Sequence, residues 1–360
     1  MKLYMVGGFL GSGKTTAIVE AAKLLMAKNR VVGIITNDQG KYLVDTAFVR
    51  SEGIPAVEVT GGCFCCHYDD FDKVLSGLNE KLAPDIIFAE SVGSCADIIS
   101  TVLNPLLEYR PKEIIRSELT VFTDVRFFQA KMRGEDLPFS EEVNYIFDEQ
   151  IEEAGILVLN KKDYLGDMEG EALLEETKKK YPDKIVLLQN SFIKKDIEKW
   201  LKYLSGNPTA LPLKGLDLDY GKYSQGEAQL AWLDARMVFR SKNSFSWNGI
   251  IFPFLETLIR KIQKQSTLAH LKCELVSEER HQKISVTAFQ EKWTHQPMEE
   301  FIGKRVSILL NIRAEARPEV LRNQFRNTVK ENKFPPQVTL DIEFENTFTP
   351  SKPNPTHRIP

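Results

Sequence analysis

No apolar run in the sequence is long enough to cross a membrane, and the opening "MKLYMVGGFLGSGKTT" has no charged stretch leading into a long apolar core. A spanning helix needs about 20 mostly apolar residues, and a secretory leader needs that charged-then-apolar pattern. The expectation is a cytoplasmic protein with no membrane partner. An excess of one charge is also missing. With 47 Lys and Arg against 50 Asp and Glu, the formal net charge is -3, and the pI is near 6.1. Such a balance provides no field to make nucleic acid or anionic lipid the main partner. Cysteine is scarce, at five in 360 residues. In a reducing cytosol five cysteines are not a disulfide framework.

What cysteine there is, is concentrated. "TGGCFCCH" holds three of the five, Cys63, Cys65 and Cys66, followed by His67. A tight cluster behind two glycines points to a metal or redox site. The length and the 42% hydrophobic content suit two domains rather than one.

The first organised element is a short strand, "KLYMV", running into "GGFLGSGKTT" and then a helical pattern, "AIVEAAKLLMAKN". Gly8, Gly13, Lys14 and Thr15 satisfy G-x-x-x-x-G-K-[ST] in the strand-loop-helix setting the motif requires. Gly8, Gly11, Ser12 and Gly13 let backbone N–H groups close around phosphates. Lys14 reaches the β/γ-phosphates, and the Thr15 hydroxyl, with Thr16 behind it, opens the helix and serves Mg2+.

The base is read further along. "AGILVLNKKDYL" is a buried strand ending in Asn160, Lys161, Lys162 and Asp163. In an N-K-x-D at a strand end, the carboxylate accepts hydrogen bonds from the N1–H and 2-amino groups of guanine, which adenine does not offer. The expected nucleotide is therefore GTP, and an ATP-using kinase is disfavoured. Ser191, at the end of the next strand "KIVLLQNS", is expected to help enclose the base.

Between these motifs, "RVVGIITND", "AVEVTGG", "DIIFAESVG" and "ELTVFTD" alternate with helical patterns. That alternation implies an α/β fold, with a mainly parallel, doubly wound sheet and its ligand at the strands' C-terminal ends. Asp38, Glu90 and the cysteines all fall at such ends. Lys14, Asp38 and Glu90 are the catalytic candidates; Thr15 is expected to coordinate Mg2+, and the acids Asp38 and Glu90 to hold it directly or through water or to orient the attacking water, with a turn residue before Gly40 as the other reading of Asp38.

Taken together, "GGFLGSGKTT", "TNDQG", "GGCFCC", "ESVG", "LTVFTD" and "DEQIEEAGILVLNKKD" resemble, in order, the CobW-type GTPases related to HypB and UreG, within the SIMIBI class of P-loop NTPases. The resemblance is close over Lys2 to Leu204 and loose beyond. It implies a GTPase that handles a divalent metal or serves a metal-dependent or corrinoid enzyme, with the C-x-C-C segment as metal site. Zn2+ or Co2+ suits thiolates, whose protons binding itself drives off. If the segment were extended, Cys63, Cys65 and Cys66 would not all face one way, so a turn is required, and Gly61 and Gly62 supply it. His67 is the candidate to close the site; a buried or redox-active thiol cluster without metal is the other reading. Members of the family commonly read N-E-x-G-E after the second strand, whereas this chain reads Asn37, Asp38, Gln39, Gly40, Lys41, which puts in doubt any second metal site using the last acid. No histidine-rich tract supports metal storage.

Two functions follow: a metallochaperone that couples GTP hydrolysis to metal delivery to a client metalloprotein, or a GTP-dependent chaperone of a corrinoid or metalloenzyme whose cysteines are a structural clasp. Neither excludes a homodimer. The expected domains are a P-loop GTPase domain at 1-204, a Gly/Pro-rich linker without helical periodicity at 205-227, a smaller C-terminal α+β domain at 228-348 in β-α-β-β-β-α-β order, and a proline-rich tail at 349-360 that lies extended over another surface or dangles. Cys273, His270, His281 and His295 have no ligand spacing, and Cys95 is assigned to packing.

Overall fold

The computed structural model describes residues 1–110, 116–206, 215–278, 280–288 and 299–360. His295 lies outside them. The chain forms two compact units, one of residues 1–39, 49–226 and 352–360, the other of residues 40–48 and 227–351.

In chain order the first part of the sequence forms β1 (Lys2–Gly7), α1 (Lys14–Met26), β2 (Val32–Asn37), α2 (Val44–Ser51), β3 (Ala56–Val59), α3 (Tyr68–Leu82), β4 (Ile86–Glu90), α4 (Asn104–Tyr109), β5 (Arg116–Asp124), α5 (Val125–Met132), α6 (Glu141–Glu153), β6 (Ile156–Asn160), α7 (Asp167–Lys180), β7 (Ile185–Gln189), α8 (Lys194–Ser205) and α9 (Tyr220–Gln229). The seven strands among the described residues make one parallel sheet in the order β3-β2-β4-β1-β5-β6-β7. Every residue of β2, β4 and β6 is buried, as expected when helices cover both faces of a parallel sheet. Trp200 of α8 is fully buried; its indole packs on Phe88 and Phe122 and donates to Thr120 Oγ1 at 3.2 Å. Chain order reverses about β1, so the crevice beyond its C-terminal end is where a ligand is accommodated in such a sheet. The span 205–227, expected to lack helical periodicity, contains most of α9, whose Tyr223 is buried with Ile146 and Leu218. That packing orders a segment its composition would leave irregular.

One buried acid in this unit makes its stability depend on pH. Burial pushes the Glu153 carboxyl up to about 8; the charge of Asp97 adds to this, against the Ile99 N–H that Glu153 accepts at 2.6 Å. The folded chain therefore keeps a proton that the unfolded chain loses above the ordinary glutamate value. The contribution is fully present below that value and is lost as pH rises toward 8, at up to about 1.4 kcal/mol per pH unit. Glu153→Gln keeps the acceptor and removes the proton. It is expected to raise the melting temperature at pH 7.5 and flatten its pH dependence; an unchanged slope in thermal melts from pH 5 to 8 refutes the assignment.

The second unit holds β8 (Leu230–Ser246), α10 (Asn248–Gln263), β9 (Thr267–Val276), β10 (His281–Thr287), β11 (Ile302–Glu315), α11 (Pro318–Glu331) and β12 (Val338–Phe348). The five strands among its described residues form an antiparallel sheet, β10-β9-β11-β8-β12, in the α+β arrangement the sequence implies. Trp247, Phe254 and Leu258 of the α10 region and Phe325 of α11 fill its core with Phe239, Cys273, Ile308 and Ile312. Cys273 is thus a packing residue. His270 pairs with Ser285 Oγ at 2.7 Å, and His281 pairs with Glu274. Residues 40–48 belong here. Asn311 accepts the Val44 N–H at 3.1 Å and donates to Tyr42 O at 3.1 Å, and buried Asp45 is paired with Lys272 and, at 2.8 Å, with Lys283. Lys41, the cation in an otherwise acidic motif position, lies 5.5 Å from the Tyr42 ring centre and 5.8 Å from that of Phe344.

Candidate nucleotide site and thiol cluster

The loop from Gly8 to Gly13 leaves the end of β1 and closes at the N-terminus of α1. Gly8 has φ 125°, and a Cβ there would meet Phe122 O at 2.0 Å, so only glycine fits. The Lys14 ammonium donates back to Gly8 O at 2.7 Å and Phe9 O at 3.3 Å, spanning the loop it closes. Gly13 caps α1 in the left-handed region, and Thr16 sits half-buried in the helix's first turn. Backbone N–H groups at a helix start, with a lysine across them, make an anion cradle.

Thr15 Oγ1 donates to Glu90 Oε1 at 2.9 Å, across the β1–β4 pair. Both side chains are buried. A hydroxyl and a carboxylate held together beside a phosphate cradle are the oxygen donor set that suits Mg2+. Asp38 is also buried, at the end of β2, with its N–H on Val59 O at 3.3 Å.

Ser191 Oγ donates to Asn160 Oδ1 at 2.9 Å, and Asn160 Nδ2 donates to Ser12 O at 2.8 Å. Asn160 therefore ties the N-K-K-D turn to the phosphate loop. Lys161 adopts φ 64° and donates to Asp124 at 2.9 Å. Burial raises the Asp124 pKa, but the charges of Lys161 and Arg126 outweigh it and hold the carboxyl at about 2. Arg126 also stacks 3.7 Å from the Tyr164 ring centre. Asp163 is exposed in the one-turn helix that follows. Asp124 is an ionic brace under this turn that sequence reasoning misses; its place at the end of "LTVFTD" is the only signal.

The thiols converge. Ligand atoms of Cys63, Cys65 and Cys66 lie within 4.8 Å of one another, with Cys63 Sγ 2.7 Å from Cys65 Sγ and Cys65 Sγ 3.9 Å from Cys66 Sγ. A turn achieves this: the N–H groups of Cys66 and His67 both donate to Cys63 O, at 3.1 and 3.0 Å. A Cβ on Gly62 would sit 2.0 Å from the His67 ring, which explains the second glycine. His67 stands outside the converging group, its Nδ1 3.5 Å from Asp70 Oδ2. Contacts with Cys65, Cys66 and Cys95 hold the Cys63 thiol well below its usual range. Contacts with Cys63, Cys66 and Cys95 and burial push Cys65 up, while Cys63 and burial, against Cys65 and the Asn354 N–H, push Cys66 up to about 11.

Cys95, expected to serve packing, is buried beside Cys63 and Cys65 and acts on their thiols, outside the three whose ligand atoms all lie within 4.8 Å of one another. Gln150 of α6 fixes its loop, donating to Gly93 O at 3.1 Å and Cys95 O at 2.8 Å. Asn37, in sequence only one member of "TNDQG", organises the whole turn. It donates to Val59 O at 3.0 Å and Gly62 O at 2.7 Å, and accepts from Phe64 N at 3.0 Å. Asn37→Ala removes three hydrogen bonds; Val59 O keeps the Asp38 N–H, while Gly62 O and the Phe64 N–H lose their Asn37 partner, at about 1 kcal/mol or more each. It is expected to speed alkylation of the cysteine cluster severalfold; an unchanged labelling rate of the reduced protein counts against the brace.

Among described residues, no helix is long and apolar enough to cross a membrane. The sequence of "Zinc chaperone CobW" from Sinorhizobium sp is 30% identical over 187 residues, 45% of this chain and 51% of that protein. "Zinc chaperone YeiR" from Escherichia coli (strain K12) is 30% identical over 166 residues, 44% of this chain and 46% of that protein. The chain thus spans about half the length of the curated relatives it matches. The crystal structure of HypB from Helicobacter pylori in complex with nickel aligns at TM-score 0.40 and 17% identity, over 57% of this chain and 85% of that one. Residues 2–188, more than half of the chain, match the family description "CobW/HypB/UreG, nucleotide-binding domain". With the phosphate loop, the N-K-K-D turn and the thiol turn at the ends of one parallel sheet, the chain belongs to the CobW/HypB/UreG family.

Proposed function

We propose that the protein binds and hydrolyses GTP and carries a divalent ion, Zn2+ or Co2+, on its cysteine cluster, with hydrolysis coupled to delivery of that ion to a client metalloprotein. The observation that carries this reading is the convergence of Cys63, Cys65 and Cys66 on one point in the same unit as a phosphate loop. Thiolates select soft and borderline ions over Mg2+. Two relatives, each 30% identical over the matched stretch, are named zinc chaperones.

In this reading Lys14 exchanges its two carbonyl partners for phosphate oxygens, and Asp163 accepts from guanine while Asn160 and Ser191 hold the turn. Thr15, with Glu90 or Asp38 directly or through water, would hold Mg2+, which when bound would supply neutralising charge to the phosphates. Thr15 then turns its hydroxyl from Glu90, which is free to orient the attacking water. Glu90 lies five residues before Cys95 in the chain, so its rearrangement is passed along the backbone to the thiol cluster. The second reading keeps the ion on the same cysteines as a structural clasp that does not release it.

Metal content after dialysis without nucleotide, with a slowly hydrolysed GTP analogue and with GDP separates them. Nucleotide-dependent loss of the ion supports delivery, and retention in every state supports the clasp. Asp163→Asn is expected to relax the choice of GTP over ATP; equal affinity of the unaltered protein for both defeats the guanine reading. Glu90→Gln is expected to leave GTP binding largely intact and slow hydrolysis at least tenfold, or about 1.4 kcal/mol of barrier.

A further inference from the structure

The proline-rich segment Lys352–Pro360 belongs to the same compact unit as the cysteines, and its backbone is directed at them. Prolines at 353 and 355 leave Asn354 and Thr356 as the donors between and after them. The Asn354 N–H donates to Cys66 Sγ at 3.3 Å, and the Thr356 N–H donates to Cys65 O at 3.1 Å. Farther along, the Ile359 N–H donates to Ser100 O at 2.8 Å and Asn104 Nδ2 donates to Ile359 O at 2.9 Å. Pro353 is buried.

Side chains fasten the segment on both flanks. Arg358 donates to Asp97 Oδ2 at 2.8 Å and to Leu216 O at 2.7 Å, and Asp97 is fully buried. Asp97 also accepts from Tyr220 OH at 2.6 Å. His357 lies against the rings of Tyr68 and Tyr109, with Nε2 3.4 Å from Asp69. The segment therefore reaches both pieces of chain that bring thiols together: the turn carrying Cys63, Cys65 and Cys66, and the loop running from Cys95 to Asp97.

We propose that residues 352–360 form a strap that is a working part of the cysteine site. It positions the Cys66 sulfur through the Asn354 N–H, clamps the two thiol-bearing loops together through Thr356 and Arg358, and restricts exchange at the cluster. An N–H aimed at a metal-bound thiolate favours its charged form and orients it, as outer partners of metal ligands commonly do. The buried Asp97 carboxylate requires its cation, so lifting the strap is opposed by an unpaired charge as well as by lost hydrogen bonds. A protein that receives the ion must displace the strap to reach Cys66. The effects on a bound ion rest on the proposed metal binding; the contacts that fasten the segment to the thiol turn do not.

The test uses the full chain beside a variant lacking residues 352–360, with Arg358→Ala and Asn354→Pro as milder changes that leave the strap in the chain. Two rates are measured: labelling of the reduced, metal-free cluster by a thiol reagent, and loss of bound Co2+ to excess chelator, followed by the thiolate charge-transfer band. Deletion is expected to speed both by about tenfold or more, with GTP affinity within twofold. Arg358→Ala should fall between, and Asn354→Pro should shift the band by perturbing Cys66 alone. Labelling and release rates equal to those of the intact chain overturn the strap. Absence of the band in the intact chain overturns the metal reading instead, and the labelling rates still decide the strap.

Discussion

Lys14→Ala is expected to abolish tight nucleotide binding. The ammonium already sits at the centre of the phosphate loop, 2.7 Å from Gly8 O and 3.3 Å from Phe9 O, and it is almost completely buried. Both of these partners are neutral carbonyls. Phosphate oxygens bring the negative charge that carbonyls lack, so the exchange favours bound nucleotide. Loss of charge-assisted hydrogen bonds to two phosphates, at about 1.5–3 kcal/mol each, predicts a fall in affinity of at least about a hundredfold. Titration with a fluorescent guanine nucleotide measures it. Because the lysine also braces its own loop, thermal melts must accompany the titration. A folded variant that binds GTP within a few-fold of the unaltered protein removes Lys14 from the site.

Cys63→Ser is expected to have a comparable effect on the metal. Cys63 Sγ lies 2.7 Å from Cys65 Sγ within the converging set of three, and its neighbours hold it well below the usual thiol range. Cys65 and Cys66, both raised by their contact with Cys63 and by burial, must lose their protons as the ion arrives. The sign follows: the loaded form holds fewer protons, so affinity falls as pH falls, by about tenfold per pH unit for each thiol that must be deprotonated. A serine at 63 removes a soft ligand from the set. Co2+ titration is expected to give an intense near-ultraviolet charge-transfer band in the unaltered protein and to lose nearly all of it in the variant, with GTP affinity of the metal-free protein nearly unchanged. If metal and nucleotide are coupled, the ion must change affinity for GTP relative to GDP, and GTP must change metal affinity by the same factor. A full band in Cys63→Ser sinks the assignment.

Much of the first unit was legible because its chemistry is written in local patterns. The strand-loop-helix around Gly8 to Thr16 depends on glycine backbone freedom and a helix N-terminus, both properties of consecutive residues. The alternating apolar runs announced a covered parallel sheet, since β2, β4 and β6 are buried along their whole length. Even the need for a turn at Cys63 followed from strand geometry, and Gly62 has its reason in the His67 ring beside it.

What escaped was whatever depends on residues far apart in the chain. Asn37 looks like one polar residue in "TNDQG", but its amide bonds to Val59, Gly62 and Phe64 exist only because β2 and β3 are neighbours. Cys95 has no ligand spacing to Cys66, and only the folding of their two loops toward each other brings it beside Cys63 and Cys65. The strap is the extreme case. "SKPNPTHRIP" predicts an extended segment with few donors, while Asn354 and Cys66 are 288 residues apart. Which residues have the chemistry for phosphate, guanine and soft metal can be read from the chain alone, because backbone permissiveness and ligand type are local. Which of them share a site is fixed by folding, because hydrogen bonds and thiol contacts act over a few ångströms and chain order does not encode that distance.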